Sequence, residues 1–266
     1  MNIFDTVKLD VAGFQLTSRE FMRYSDDEFA HAYMGWGFDA PAIKLQEVSL
    51  ALSAMKLPAS ARILDLACGN GVSSIHLADK GFRVTALDLS PVFINAGRKS
   101  DAEHACSRQA GSLQWVVADA STYEDEPFDA VILLDPGFMT ATRPFVDRLS
   151  TLTNRGGKFF LRYKDGTHGT MHLPINRWKT ERDGCSILLE QHHFCQLTGS
   201  VRDEWITIDL MNKTILSETM ERHIVLFRDF RALMEDAGFS LLDTWGDVHG
   251  GPVTDNSRLY ALFVKA

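Results

Sequence analysis

The sequence predicts an α/β fold in which helices cover both faces of a doubly wound, mostly parallel seven-stranded sheet. Two observations from residue 62 onward support this prediction. Short apolar runs alternate with amphipathic stretches, as in RILDLA followed by VSSIHLADKG and FRVTALDLS followed by PVFINAGRKSDAEHAC. The strands are also nearly continuously apolar, which is typical of parallel strands that are buried on both faces.

Turn residues and connections set the limits of these elements. Gly81 closes the first of the two helices, and Pro91 occupies the first turn of the second. The strands LQWVVADAS, FDAVILLD and GGKFFLRYK follow, with the helix TRPFVDRLSTLT before the last of them. FSLLDTWGD and RLYALFVKA are joined by a Gly/Pro/Asn loop without a crossover helix. This terminal pair is therefore predicted to be antiparallel, at one side of the sheet.

The pattern divides the chain into three parts. Residues 1–60 are predicted to form a helical N-terminal lid, on the basis of SDDEFAHAYMGWGF and APAIKLQEVSLALSAMKL. Residues 61–164 and 222–266 are predicted to form the α/β domain. Residues 165–221 alternate like antiparallel strands and are predicted to form an inserted β cap over the substrate pocket. The insertion leaves the sheet at the carboxyl end of a strand, where ligands of open α/β sheets bind.

Composition narrows the classes of partner. The 266 residues carry a net charge of -8, with 27 Lys and Arg against 35 Asp and Glu, which argues against a nucleic-acid partner. None of the four cysteines forms a CxxC pair, so no metal site is predicted. No apolar run approaches the roughly 20 residues of a spanning helix, and no signal peptide is visible. We therefore expect a cytoplasmic protein without a membrane partner.

The stretch ILDLACGNGVSS contains a glycine turn directly after a strand. A dinucleotide fingerprint would have a third glycine at the position of Ser74, and a P-loop would have Lys followed by Ser or Thr after its glycines. Neither condition is met by Gly69-Asn70-Gly71 and the residues that follow. The turn therefore disfavours both pyrophosphate and triphosphate ligands.

Acidic residues at the ends of successive strands indicate a different ligand. Asp65 lies near the end of the first strand, Asp88 ends the second, and Asp119-Ala120 ends the third. Carboxylates repel phosphate but accept hydrogen bonds from an ammonium group, from ribose hydroxyls and from an adenine amino group. The pattern thus predicts S-adenosylmethionine. Local roles stay open at each position, since Asp also caps turns and helix N-termini.

The motifs in ILDLACGNG, TALDLS, VVADAS and FDAVILLDPGFM, in this order, resemble those of the class I S-adenosylmethionine-dependent methyltransferases. The resemblance covers about Arg62 to Lys164 and Phe227 to Lys265. It implies a Rossmann-like fold with a reversed last strand, and it implies that Asp88 holds the ribose, Leu89 contacts the adenine and Asp119 binds its amino group. The predicted cofactor contacts are Tyr33, Asp65, Ala67, Gly69, Gly71, Asp88, Leu89, Asp119, Ala120 and Leu134.

The acceptor of the methyl group is predicted less directly. FDAVILLDPGFM is similar to the fourth strand of the glycine and sarcosine type of N-methyltransferase, but Asp135-Pro136 departs from that pattern. We expect transfer to a nitrogen or oxygen of a small-molecule metabolite, with an amine favoured. Candidate proton acceptors are Asp135, His192 and His193, because carboxylates and imidazoles act as general bases near neutral pH. Adjacent strand residues point to opposite faces, so at most one of the two histidines faces the cavity.

Aromatic and basic residues near the predicted pocket are candidate acceptor contacts. Aromatic side chains of the lid and strand ends would form its walls, and an arginine would bind an acceptor carboxylate. The candidates are Tyr24, Trp36, Phe138, Arg162, Tyr163 and Arg222.

Two other functions stay open at this point. The same cofactor could undergo an intramolecular cyclisation that releases methylthioadenosine, or the chain could be a non-catalytic partner subunit that keeps the fold. A homodimer is left open as the assembly, and a dehydrogenase is disfavoured by the missing third glycine.

Overall fold

The computed structural model of the protein describes residues 7–20, 41–104, 108, 111–134, 142–163, 176–180, 186–195, 197–223, 225–254 and 257–266. The helices and strands, in chain order, are β1 (Val7–Val11), β2 (Phe14–Glu20), α1 (Pro41–Met55), β3 (Arg62–Leu66), α2 (Val72–Asp79), β4 (Arg83–Asp88), α3 (Pro91–His104), β5 (Ser112–Val117), β6 (Phe128–Leu133), α4 (Arg143–Leu152), β7 (Thr153–Tyr163), β8 (Asn176–Thr180), β9 (Ser186–Cys195), β10 (Ser200–Asp209), β11 (Thr214–His223), α5 (Phe227–Asp236), β12 (Phe239–Trp245) and β13 (Leu259–Lys265).

These elements form two compact units. The α/β unit comprises Tyr24–Lys164 and Leu226–Ala266, and the β unit comprises Met1–Arg23 and Asp165–Val225. The longest described helix, α1, has 15 residues. No helix in the described part of the chain is both long and apolar enough to cross a membrane.

The α/β unit contains the predicted seven-stranded sheet, with the strand order β12-β13-β7-β6-β3-β4-β5. Strands β3 to β7 pair in parallel, whereas β13 pairs antiparallel with both β7 and β12. The last strand thus enters the sheet between β7 and β12 and runs against its neighbours. This arrangement confirms the mostly parallel sheet with a reversed last strand that the sequence predicts.

Helix α1 covers part of one face of this sheet. Its apolar side chains Val48, Ala51 and Met55 are buried in a cluster with Phe160 and Tyr260. Burying each large apolar side chain contributes roughly 1.5–3 kcal/mol, which explains why α1 docks here although it precedes the first strand of the sheet. The helix predicted in APAIKLQEVSLALSAMKL is confirmed.

An aromatic cluster covers the sheet at β7 and β13. The ring of Tyr163 lies 5.0 Å from that of Phe230 and 5.2 Å from that of Phe227, and Phe230 packs edge-on against Phe263. Tyr163, which the sequence suggests as an acceptor contact, is thus a buried core residue that packs against α5.

The β unit is built around a six-stranded sheet with the order β1-β2-β11-β10-β9-β8. All neighbouring strands are antiparallel except β2 and β11. The prediction of a helical N-terminus is wrong for residues 7–20, which form the hairpin β1–β2. Apolar and polar residues alternate there, and Ala12-Gly13 turns the chain with positive φ at both positions. The segment SDDEFAHAYMGWGF lies outside the described residues.

Candidate functional site at the carboxyl edge of the parallel sheet

The glycine turn between β3 and α2 crosses the carboxyl ends of two strands. Its backbone has positive φ at Ala67, Gly69 and Gly71, a conformation that costs a residue with a side chain roughly 1–2 kcal/mol. The Cys68 amide donates to the Leu87 carbonyl over 3.0 Å and so ties the turn to β4. The two glycines therefore occur where the chain needs this left-handed conformation.

Asp88 anchors the glycine turn to the end of β4. Its Oδ2 accepts a hydrogen bond from the Gly69 amide over 2.8 Å, and its Oδ1 accepts one from the Ser90 amide over 2.9 Å. The side chain is buried, and hydrogen bonds to a charged acceptor are stronger than neutral ones. The carboxylate is therefore fixed at the carboxyl end of β4, where ligands of open α/β sheets bind.

The amides of both glycines in the turn are already engaged within the protein. The Gly69 amide donates to Asp88, and the Gly71 amide donates to the Cys68 carbonyl over 3.0 Å. A bound phosphate would need such amides as donors and would be repelled by the Asp88 carboxylate. The local geometry therefore fits a ligand without phosphate, as the sequence predicts.

Asp65 is buried at the end of β3, beside the turn. Its Oδ2 accepts a 2.5 Å hydrogen bond from the Ser74 hydroxyl. Burial raises the pKa of the Asp65 carboxyl to about 7, against the opposing effects of Ser74 and Lys44, and Asp88 adds to the increase. Near neutral pH a cationic ligand group would shift this carboxyl toward its charged form.

Asp119 lies at the end of β5, in a turn of its own. Its Oδ1 accepts hydrogen bonds from the Ser121 amide over 2.8 Å and from the Ser121 hydroxyl over 2.7 Å. Both bonds involve Oδ1, so within the described residues they leave Oδ2 for a ligand donor. The local turn and a ligand contact are therefore compatible at this residue.

The strand order brings the predicted cofactor contacts to one edge. Strands β6, β3, β4 and β5 are consecutive in the sheet, and their carboxyl ends carry Leu134, Asp65, Asp88 and Asp119 respectively. Ala120 and Leu134 are buried, and Leu89 is half-buried. Tyr33 lies outside the described residues.

Trp115 of β5 supports the glycine turn, and the sequence analysis missed it. A Cβ atom at Gly71 would lie 2.0 Å from its ring, and one at Gly97 of α3 would lie 2.4 Å from it. The indole Nε1 donates to Asp101 over 3.2 Å. Gly71 is therefore required both for its φ and for the space that Trp115 occupies. An isolated glycine inside α3 is the one sequence feature that points to this packing.

The environment of Cys68, within the turn, favours a packing role over a nucleophilic one. Burial, with Asp65 and Asp88 nearby, raises the pKa of the Cys68 thiol well above its usual range. The thiolate that nucleophilic chemistry requires is therefore strongly disfavoured.

A second buried polar cluster lies at the carboxyl end of β7. Oε1 of Glu47, in α1, accepts hydrogen bonds from Arg162 Nη1 over 2.9 Å, from Tyr260 Oη over 2.8 Å and from Arg258 Nη1 over 3.4 Å. Glu47 and Arg162 are both buried. The structure thus pairs Arg162, a predicted acceptor contact, with a carboxylate of the same unit. Glu47, Arg258 and Tyr260 are absent from the sequence prediction.

The structure describes only some of the remaining residues that are predicted to contact the acceptor or to take part in catalysis. His193 is an exposed residue of β9. The backbone of His192 pairs with Asp203, and that of Arg222 pairs with Val201. Their roles stay predictions. Predicted residues outside the described part of the chain are Tyr24, Trp36, Asp135 and Phe138.

Comparisons with known proteins point to one family. Residues 63–157 match the methyltransferase domain family. The chain is 29% identical over 156 residues to a ubiquinone biosynthesis O-methyltransferase of Xylella fastidiosa (strain 9a5c), and the match covers 56% of this chain. The matched region spans 63% of the length of that relative.

Solved structures share the fold. A crystal structure of an S-adenosylmethionine-dependent methyltransferase from Clostridium acetobutylicum ATCC 824 superposes with a TM-score of 0.71 at 15% identity, covering 90% of this chain and 98% of the other. The sugar N-methyltransferase KedS8 from Streptoalloteichus sp ATCC 53650 superposes with a TM-score of 0.62 at 18% identity, covering 89% and 92%. At these identities the likeness establishes the fold alone.

Proposed function

We propose that this chain is a class I S-adenosylmethionine-dependent methyltransferase that transfers the cofactor's methyl group to a nitrogen or oxygen of a small-molecule metabolite. The observation that carries the proposal is the Asp88 carboxylate, which is buried at a strand end and hydrogen-bonded to the glycine turn. Asp65 and Asp119 flank it along the same edge.

The donors and acceptors of this edge match S-adenosylmethionine. The cofactor offers an ammonium group, two ribose hydroxyls and an adenine amino group, which are all donors, and it carries no phosphate. In the proposed complex Asp88 accepts from the ribose, Asp119 accepts from the adenine amino group and Asp65 faces the ammonium. Carboxylates that would be costly for a phosphate ligand are thus favourable here.

The protein has a limited task in this reaction. When bound, S-adenosylmethionine supplies a methyl group that its sulfonium already activates. The residues at the strand ends then need to align the acceptor with that methyl group and to exclude water. An acceptor amine must be uncharged, and an acceptor hydroxyl needs a base, for which Asp135, His192 and His193 are the proposed candidates.

The proposal of a nitrogen or an oxygen as the methylated atom is supported by similar proteins and by one sequence motif. The curated relative acts on oxygen and the structural neighbour KedS8 on nitrogen, according to their names. FDAVILLDPGFM favours an amine through its similarity to the glycine and sarcosine type of enzyme. We therefore propose a small-molecule amine first and a hydroxyl compound second.

Product analysis tests this proposal. The full chain is incubated with S-adenosylmethionine and separate pools of small amines and hydroxyl compounds, and the nucleoside products are measured by mass spectrometry. The proposal expects S-adenosylhomocysteine that forms only when an acceptor pool is present. Methylthioadenosine as the product would instead support cyclisation, and no turnover with any pool would favour a partner subunit.

A further inference from the structure

We propose that Glu47 positions the methyl acceptor, by accepting at Oε2 a hydrogen bond from an uncharged N–H or O–H group of that acceptor. This inference rests on the proposed methyl transfer and adds a residue to its acceptor side. Glu47 and its partners all belong to the α/β unit, which contains α1, β7 and β13.

The two oxygens of the Glu47 carboxylate have very different surroundings. Oε1 receives the donors from Arg162, Tyr260 and Arg258. Oε2 is buried and has no hydrogen-bond partner in the part of the chain that the structure describes. Buried carboxylate oxygens are almost always hydrogen-bonded, because leaving one unpaired costs free energy. The geometry therefore holds Glu47 in place by one oxygen and leaves the other for a donor from outside the protein.

The position of Glu47 fits the acceptor side of the reaction. Arg162 and Tyr260 are cross-strand partners near the carboxyl end of β7, which neighbours β6 in the sheet. Lys44, one helical turn before Glu47, lies close enough to Asp65 to lower the pKa of that carboxyl. The first turns of α1 thus extend from the proposed methionine end of the cofactor to the Glu47 cluster.

The charges around Glu47 select the kind of donor. Two guanidinium groups, those of Arg162 and Arg258, face one carboxylate. This excess of positive charge disfavours a bound ammonium and favours the uncharged amine, which is also the form that can attack a methyl group. An N–H or O–H bonded to Oε2 leaves a lone pair of the same atom free to face the sulfonium.

The variant Glu47→Gln tests this proposal, because it replaces one acceptor oxygen with a donor group and keeps the size of the side chain. The amide oxygen of glutamine would stay with Arg162 and Tyr260, so that its NH2 group would take the place of Oε2 and meet the acceptor's donor. Aniline and phenol serve as uncharged donor probes, and toluene is the matched probe without a donor. Each is titrated by NMR into the full chain saturated with S-adenosylhomocysteine.

We expect aniline or phenol to bind the wild type at least tenfold more tightly than toluene. Glu47→Gln should remove that difference, whereas the matched control Glu235→Gln, at an exposed carboxylate of α5, should change it less than threefold. If Glu47→Gln does not fold, the double variant Glu47→Met/Arg162→Met removes both charges and should show the same loss. The inference is overturned if the donor probes bind no better than toluene, or if the glutamine variant binds them like the wild type. Failure of the wild type to bind S-adenosylhomocysteine would instead remove the proposed function itself.

Discussion

Two buried carboxylates, that of Asp88 at the end of β4 and that of Glu47 in α1, are held in different ways. Asp88 accepts from backbone amides, 19 residues away at Gly69 and two residues away at Ser90. Glu47 accepts from side chains that are 115 to 213 residues away in the sequence. The first arrangement follows from a short motif, whereas the second exists only once the sheet has formed.

The difference has consequences for stability. An aspartate held by backbone amides belongs to the turn that it stabilises, and its place at the carboxyl end of a parallel strand points to ligand binding as its main role. A glutamate held by buried arginine is coupled to the core, because neither charge tolerates the loss of its partner. The Glu47 cluster should therefore be the more sensitive of the two in unfolding experiments.

Removal of Arg162 should destabilise the protein more than any other change to the Glu47 cluster. Arg162→Ala leaves the buried Glu47 carboxylate with only the half-exposed Arg258 as a counter-charge and should lower the free energy of unfolding by about 3–5 kcal/mol. Arg258→Ala removes a half-exposed partner at 3.4 Å and should cost less than about 1 kcal/mol. Urea denaturation of both variants measures these values. Equal losses would show that burial of the pair does not matter.

Two glycine variants separate the backbone requirement of the glycine turn from its packing against Trp115. Gly69→Ala places a side chain at φ +58 with no atom within 4 Å and should cost about 1–2 kcal/mol. Gly71→Ala adds a collision with Trp115 and should cost about 1–3 kcal/mol more. Trp115→Ala should therefore cost less in the Gly71→Ala background than in the wild type when both are measured in the same denaturation experiment. Similar losses in the two single variants would exclude a packing role for Trp115.

The pH dependence of cofactor binding tests Asp65. The pKa of Asp65 is about 7 in the free protein, and a bound ammonium should lower it, so binding should release a proton near neutral pH. Affinity for S-adenosylmethionine should then rise with pH up to about 7, by at most about tenfold per pH unit. Calorimetry in buffers of different ionisation enthalpy measures the proton release.

Asp65→Asn is the matched control for this effect. Any titration of the cofactor's own amine persists in the variant, whereas the part that arises from Asp65 disappears. An unchanged pH dependence would place the ammonium away from Asp65.

The same contrast explains what the sequence could predict. The parallel sheet, its reversed last strand and the acidic strand ends depend on local patterns of apolar residues, glycines and aspartates, and they were predictable. Glu47 was not, since no local motif surrounds it and its partners are set by the packing of α1 on β7 and β13. The role of Trp115 was not predictable for a similar reason, because its contacts come from the glycine turn and from α3, which are distant from it in the sequence.

The N-terminal error has another cause. Residues 7–20 alternate between apolar and polar residues, which is a strand pattern, whereas the helical prediction for residues 1–60 depends on the segments from residue 25 onward. Their strand β2 pairs in parallel with β11, about two hundred residues later in the chain. Such a distant partner leaves no mark on the local sequence.

The most direct test of the central claim is calorimetric titration of S-adenosylmethionine and S-adenosylhomocysteine into the wild type and Asp88→Ala. Loss of hydrogen bonds to a charged acceptor costs about 1.5–3 kcal/mol, so the variant should bind at least tenfold more weakly. Asp147→Ala, which removes an exposed carboxylate of α4, should bind like the wild type. Wild-type binding that Asp88→Ala leaves unchanged, or no binding to the wild type, would contradict the assignment of this edge as the cofactor site.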